Sequence, residues 1–166
     1  MKAKLIIKDK EIEIEISEEE YKKLHPSETG YERVSKSDIY FDVSPTGDVV
    51  SGSEDYCYID DEYYESANYY SDKTVAENNA RADKLMRQLR RFSVEHRECG
   101  VNLNDIDTKK NYICYDCEDN ELRTSFMFSS RIFGVINFDS KETAQAAIDK
   151  FRDELIWYFT EYKDSL

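Results

Sequence analysis

Four cysteines and two histidines are the side chains of this sequence best suited to bind a metal ion. Cys114 and Cys117 form a C-x-x-C pair, and His96 and Cys99 form an H-x-x-C pair before it. Three thiolates and one imidazole match the donor set of a tetrahedral zinc site. Residues 114–117, however, are predicted to lie in a strand, where a three-residue spacing points two side chains to opposite faces. We therefore predict no metal and no cofactor, and keep a zinc-dependent binding protein as a third interpretation.

The sequence contains none of the common catalytic motifs. It has no G-x-S-x-G nucleophile elbow, no P-loop and no G-x-G-x-x-G fingerprint, and it holds only five glycines. His25 and His96 have no evident nucleophile to activate. Acidic pairs such as Asp60 and Asp61 do not have the spacing of a calcium-binding loop. We expect that the protein is not an enzyme.

Residues 37–72 combine negative charge with aromatic side chains. The segment holds ten acidic residues, seven tyrosines and no lysine or arginine. Carboxylates held at regular intervals can imitate a phosphate backbone, and tyrosines add rigid contact area with a polar tip. Two interpretations stay open: the segment binds a basic groove as a nucleic acid mimic, or it is a solvated acidic face. For the first, the predicted contact residues are Asp48, Glu54, Asp55, Tyr56, Tyr58, Asp60, Asp61, Glu62, Tyr63, Tyr64 and Glu65.

Composition restricts the class of partner. The net charge of −13 is repelled by nucleic acid phosphates and by anionic membranes. We therefore expect a basic protein surface as the partner, and no direct contact with nucleic acid or membrane. The aromatic content of 13% indicates a folded protein, since acidic disordered chains are poor in aromatics. Residues 1–10 lack the apolar core of a signal peptide, so we expect a cytoplasmic protein with reduced thiols.

Hydrophobic patterning predicts the elements at the start of the chain. Residues 11–16 alternate glutamate with isoleucine, which is the period of a half-buried strand, and residues 2–8 form a second β-rich run. The sequence from Ser17 to Glu20 is typical of a capping box and predicts a short helix that ends at Leu24. Residues 1–27 are thus predicted to form a small ββα appendage.

Residues 31–166 are predicted to form the main domain. Strands are expected at 38–43, 49–53, 111–117, 122–128 and 133–138, and long helices at 72–96 and 140–162. Two strand-to-helix junctions share a pattern: Tyr70, Lys73 and Ala76 match Phe138, Lys141 and Ala144 at a constant offset. Either the chain contains a duplication, with units 31–99 and 100–166, or such junctions are simply alike. Both explanations predict an α+β fold, in which antiparallel sheet units are each followed by a helix.

Several short segments carry a family resemblance. They are KLII at 4–7, EIEI at 11–14, GYERV at 30–34, NYYS at 68–71, LRRF at 89–92, INFDSKETA at 136–144 and LIWYF at 155–159. Together they resemble small acidic accessory proteins encoded by phages and prophages of Gram-positive bacteria. The resemblance covers most of the chain, rests on structural motifs and assigns no site residues, but it implies a phage origin.

A phage origin and an acidic, tyrosine-rich face together imply inhibition of host defence. Small anti-CRISPR and anti-restriction proteins often act by stoichiometric binding, and several are acidic nucleic acid mimics. The leading hypothesis is therefore a non-enzymatic inhibitor that occupies a basic, nucleic-acid-binding surface of a host effector. The alternative is a phage structural or assembly adaptor, which forms homo-oligomers through an apolar sheet edge or its C-terminal helix.

Overall fold

The computed structural model describes residues 2–7, 10–15, 29–130 and 132–164. Within these residues it contains six strands, paired as three two-stranded sheets, and three helices. The strands are β1 (Lys2–Ile7), β2 (Lys10–Glu15), β3 (Ile39–Val43), β4 (Val49–Ser53), β5 (Lys110–Asp116) and β6 (Glu121–Met127), and the helices are α1 (Tyr58–Glu65), α2 (Lys73–Glu95) and α3 (Lys141–Thr160). The prediction of an α+β fold is confirmed.

The N-terminal strands form a hairpin. β1 pairs with β2 in antiparallel register, from Lys2 opposite Glu15 to Ile7 opposite Lys10. The predicted helix from Ser17 to Leu24 lies outside the described residues. Of the helices that the structure describes, none combines the length and the apolar character that a membrane crossing requires.

The chain folds into two compact units. The first comprises the described residues up to Asp42 together with Val50–Val75, and the second comprises Val43–Val49 together with Ala76–Asp164. The predicted duplicated units, 31–99 and 100–166, concern the origin of the sequence and stay a prediction.

Tyrosines build the interior of the first unit. Tyr40, Tyr69 and Tyr70 are all buried, and the rings of Tyr40 and Tyr69 stack with their centroids 4.3 Å apart. Tyr70 also exchanges two backbone hydrogen bonds of 2.8 Å with Phe41 of β3. Gly52 of β4 leaves room for this stack, because a Cβ there would lie 2.5 Å from the ring of Tyr40. Three of the seven tyrosines in residues 37–72 therefore belong to the core.

An apolar cluster holds the second unit together. It joins one face of α2, a residue two positions before the cap of α3, and α3 itself; its buried members are Leu85, Leu89, Phe92, Phe138, Ala144, Ala147, Ile148 and Leu155. β5 and β6 pair antiparallel from Lys110 opposite Met127 to Asp116 opposite Glu121. The spacing of the buried residues on α2 is that of one helical face, which is why the periodicity of the sequence predicts this helix.

The two strand-to-helix junctions have the same local geometry. Tyr70 and Phe138 each form an isolated antiparallel bridge with a strand. Two residues after each of them, Asp72 and Ser140 accept a hydrogen bond of 3.0 Å from the amide three residues further on, and so cap α2 and α3. The shared geometry agrees with the shared sequence pattern, and both a duplication and a general likeness of strand-to-helix junctions would produce it.

The strand predicted at 133–138 is absent from the structure. Only Phe138 pairs with a neighbour, through Asn111 of β5. Gly134 has a φ of +79°, and the amide of Val135 bonds back to the carbonyl of Ile132, so the chain turns here. A left-handed residue interrupts the extended backbone that a strand needs.

Candidate partner-binding site

The helix α1 is fixed at its N-terminus by a carboxylate that points inward. One oxygen of Asp60 accepts hydrogen bonds from the amides of Asp55 (2.9 Å) and Cys57 (3.1 Å), and the other accepts from the hydroxyl of Tyr40 (3.0 Å). An acidic side chain at the third helical position commonly reaches back to free amides in this way. The bond from the amide of Asp55, with those from Cys57 and Tyr40, lowers the pKa of Asp60 to about 2.

A buried ion pair lies beside this cap. The side chain of Glu54 is fully buried and receives two hydrogen bonds of 3.0 Å from the guanidinium of Arg33. The hydroxyl of Tyr69 and the amide of Tyr56 each donate a further bond of 2.8 Å. The bonds from Arg33 are the main cause that lowers the pKa of Glu54. Every acceptor position of this carboxylate is therefore used inside the unit.

Arg33 also binds the outer side of α1. Its guanidinium lies 2.7 Å from the carboxylate of Asp61 and faces the rings of Tyr56 and Tyr64, with centroid distances of 5.0 Å and 5.6 Å. The pKa of Arg33 is raised, first by its bonds to Glu54 and then by those to Asp61. Although residues 37–72 contain no cation, a cation from outside the segment thus pairs with two of its carboxylates and balances one of their two charges.

One side of α1 remains open to solvent. Tyr58, Asp61, Glu62 and Glu65 follow the spacing i, i+3, i+4, i+7, which places them on one helical face, and all four are exposed. We call these four residues the acidic face. Tyr58 is 72% exposed and Asp61 keeps 52% of its side chain exposed despite its ion pair. Three carboxylates and one aromatic ring are therefore accessible together.

The structure separates the predicted contact residues into distinct groups. Glu54 and Asp60 are buried and bonded within the unit, so neither can meet a partner. Tyr63 is half-buried, and Asp48, in the β3–β4 turn, belongs to the second unit, where it accepts a bond of 2.7 Å from Thr46. The exposed members of the first unit are Asp55, Tyr56, Tyr58, Asp61, Glu62, Tyr64 and Glu65.

The residues of the candidate zinc set, His96, Cys99, Cys114 and Cys117, all lie in the second unit, and the described structure does not group them as a metal site. The ring of His96 stacks on Phe92 and its Nδ1 lies 2.9 Å from that residue's carbonyl. The thiol of Cys114 faces a carbonyl of the paired strand β6, and burial raises its pKa. Cys99 and Cys117 are exposed in turns. In the part of the chain that the structure describes, no three His, Cys, Asp or Glu side chains are grouped to hold an ion.

Comparison with known proteins identifies no relative: no family model, no curated protein and no solved structure matches this chain. The resemblance to phage accessory proteins therefore stays a prediction, and the function has to be argued from the site.

Proposed function

We propose that this protein is a non-enzymatic, phage-encoded inhibitor that acts in the cytoplasm of a bacterial host. It binds a basic, nucleic-acid-binding surface of a defence effector through the acidic face of α1. The observation that carries the proposal is the grouping of Asp61, Glu62 and Glu65 beside an exposed tyrosine on one rigid helical face. Glu62 and Glu65 form no ion pair with any described cation, so their charge is available to a partner.

The spacing of these carboxylates suits a site that normally holds a polyanion. A helix rises about 1.5 Å per residue, so the three carboxylates span about 6 Å along the axis, which is an average of about 3 Å per step. Phosphates on one strand of DNA follow at about 3.4 Å along its axis. A groove lined by arginine and lysine for phosphates can therefore pair with this face.

Rigidity supports the same proposal. The cap by Asp60 fixes the N-terminus of α1, and Arg33, which is paired with the buried Glu54, also pairs with Asp61 of the helix. A face that is ordered before binding loses less conformational freedom on association than a flexible acidic segment does. Charge complementarity then makes association fast and sensitive to salt.

The proposal is tested by competition. Purified CRISPR effector nucleases and restriction enzymes are loaded with fluorescent nucleic acid, and anisotropy reports its displacement by the protein. The test variant is E62K/E65K, and the matched control is E118K/D153K, which changes the net charge equally at exposed acidic residues of the second unit.

We expect displacement by the wild type and the control, and at least about tenfold weaker displacement by E62K/E65K. Equal inhibition by the test variant would show that the acidic face is not the contact. Equal weakening in both variants would show that only the net charge matters, and displacement of nucleic acid from none of the effectors would contradict the function itself.

A second candidate function is a phage assembly adaptor that self-associates. Phe126 and Phe128, at the end of β6, are exposed and pack edge to face with ring centroids 5.7 Å apart. Exposed aromatic pairs of this kind favour association with another apolar surface. Sedimentation of the wild type and of F126S separates the two functions: a stable oligomer that the substitution dissociates supports the adaptor, and a monomer excludes it.

A further inference from the structure

The second unit contains a cavity of about 380 Å³. Its walls come from the C-terminal end of α2, the loop after it and the turn before α3; the lining residues are Arg90, Ser93, Val94, Arg97, Leu103, Asn104, Gly134, Val135, Ile136 and Asn137. Part of the wall is apolar and part carries positive charge. A cavity of this size and mixed character falls in the range that binds small molecules.

The positive charge in this cavity is not balanced by the protein. Neither Arg90 nor Arg97 forms an ion pair with any described carboxylate, although the chain has 36 acidic residues and 23 basic ones. Elsewhere in the same unit, Arg81 pairs with Glu154 and Arg91 pairs with Glu95, whereas Arg87, an exposed arginine outside the cavity, has no ion pair with a described carboxylate either. What distinguishes Arg90 and Arg97 is that both unpaired guanidiniums belong to residues lining one cavity, which favours an anion from outside.

Two buried polar atoms of the cavity residues also lack partners among the described residues. They are the Nε of Arg97, a donor, and the Oδ1 of Asn137, an acceptor. Buried polar atoms are almost always hydrogen-bonded, and an exception indicates a missing ligand, ion or water. The donor suits an anionic oxygen, whereas the acceptor suits a hydroxyl or amine of the same ligand.

From this geometry we propose that the cavity binds a small phosphate monoester that also carries a hydroxyl group. Arg90 and Arg97 bind the phosphoryl oxygens, because two guanidiniums balance a dianion and their planar donors fit its oxygen atoms. The Oδ1 of Asn137 accepts the hydroxyl, and the apolar side chains of Val94 and Leu103 cover the carbon skeleton. This site shares no residue with the acidic face, so the ligand-binding proposal can be right or wrong whatever the outcome for the inhibitor function.

The test is a titration of the full ¹⁵N-labelled chain followed by NMR. The probes are glycerol 3-phosphate and inorganic phosphate, with sodium chloride at matched ionic strength as the reference. Side-chain amide signals of Asn104 and Asn137 report on the cavity directly. The test variants are R90Q and R97Q, and R87Q is the control, since Arg87 is an exposed arginine of the same helix that does not line the cavity.

We expect saturable shifts of both amide signals, tighter binding of the ester than of inorganic phosphate, and about tenfold weaker binding in each test variant. R87Q should bind as the wild type does. The proposal is overturned if no saturable shift appears up to about 10 mM ligand, a range in which a site with two arginines should fill. It is equally overturned if R90Q, which changes an exposed side chain, binds with unchanged affinity.

Discussion

Replacing Glu54 with glutamine tests whether the buried ion pair holds α1 in place. Each carboxylate oxygen of Glu54 accepts two hydrogen bonds: Oε1 from Arg33 and the amide of Tyr56, and Oε2 from Arg33 and the hydroxyl of Tyr69. Glutamine has the same size but replaces one oxygen with an NH₂ group. With the NH₂ group at the Oε1 position, two donors, from Arg33 and the amide of Tyr56, face another donor; at the Oε2 position one donor from Arg33 does, because the hydroxyl of Tyr69 can rotate to accept.

The magnitude follows from these contacts. A buried donor left without its acceptor costs about 1–3 kcal/mol, and removing one partner of a buried ion pair costs about 3–5 kcal/mol. Arg33 is 27% exposed and keeps its contact with Asp61 at 2.7 Å, which relieves part of the loss. We therefore expect E54Q to lower the free energy of unfolding of the first unit by about 3 kcal/mol.

Native-state hydrogen exchange measures this change at the affected residues. The amide of Tyr56, which donates to Glu54, and the amides of α1 should exchange faster in E54Q by a factor that corresponds to the lost stability. E62Q is the control, because Glu62 is exposed on the same helix, and its exchange rates should equal those of the wild type. A change below about 1 kcal/mol in E54Q would refute the argument that this ion pair fixes the helix.

Three further predictions concern stability. Asp60 has a pKa of about 2 against an ordinary 3.8, so the stability that its carboxylate contributes is present above about pH 4 and is lost as the pH falls to about 2. Circular dichroism should show that the first unit loses stability over this range, and that the loss is less steep in D60N. G52A places a methyl group 2.5 Å from the ring of Tyr40 and should cost about 1–3 kcal/mol in urea unfolding; no loss would mean that the stack adjusts freely. K110M removes a buried ammonium that donates to three backbone carbonyls, and should cost about 2–4 kcal/mol; a neutral effect would mean that water replaces it.

Local patterns account for the elements that the sequence predicts well. β4 has the predicted bounds, and α2 and α3 begin within about one residue of theirs. Each of these helices starts at a polar cap and follows a helical period, and both signals depend only on residues that are close in sequence. The prediction of a strand at 133–138 is wrong for a local reason as well. Gly134 adopts a left-handed conformation, whereas the apolar residues around it give the sequence pattern of a strand.

Which acidic residues of the segment 37–72 are paired or buried depends on contacts between residues that are far apart in the sequence. Arg33 pairs with Glu54 across 21 positions, so a survey limited to residues 37–72 misses the cation that neutralises part of the segment. Burial of Asp60 depends likewise on Tyr40, which is 20 positions away. Helical spacing alone does single out Tyr58 and Glu65 as members of one face, and periodicity could have separated that face from the buried acids.

The central claim is that the acidic face of α1 replaces a polyanion on a basic effector. The most direct measurement is the salt dependence of displacement of labelled nucleic acid from such an effector, for the wild type and for E62K/E65K. We predict that the wild type displaces the nucleic acid, that its affinity falls as salt rises, and that the variant is weaker with a shallower salt dependence. Displacement by the variant with the wild-type affinity and salt dependence would contradict the claim.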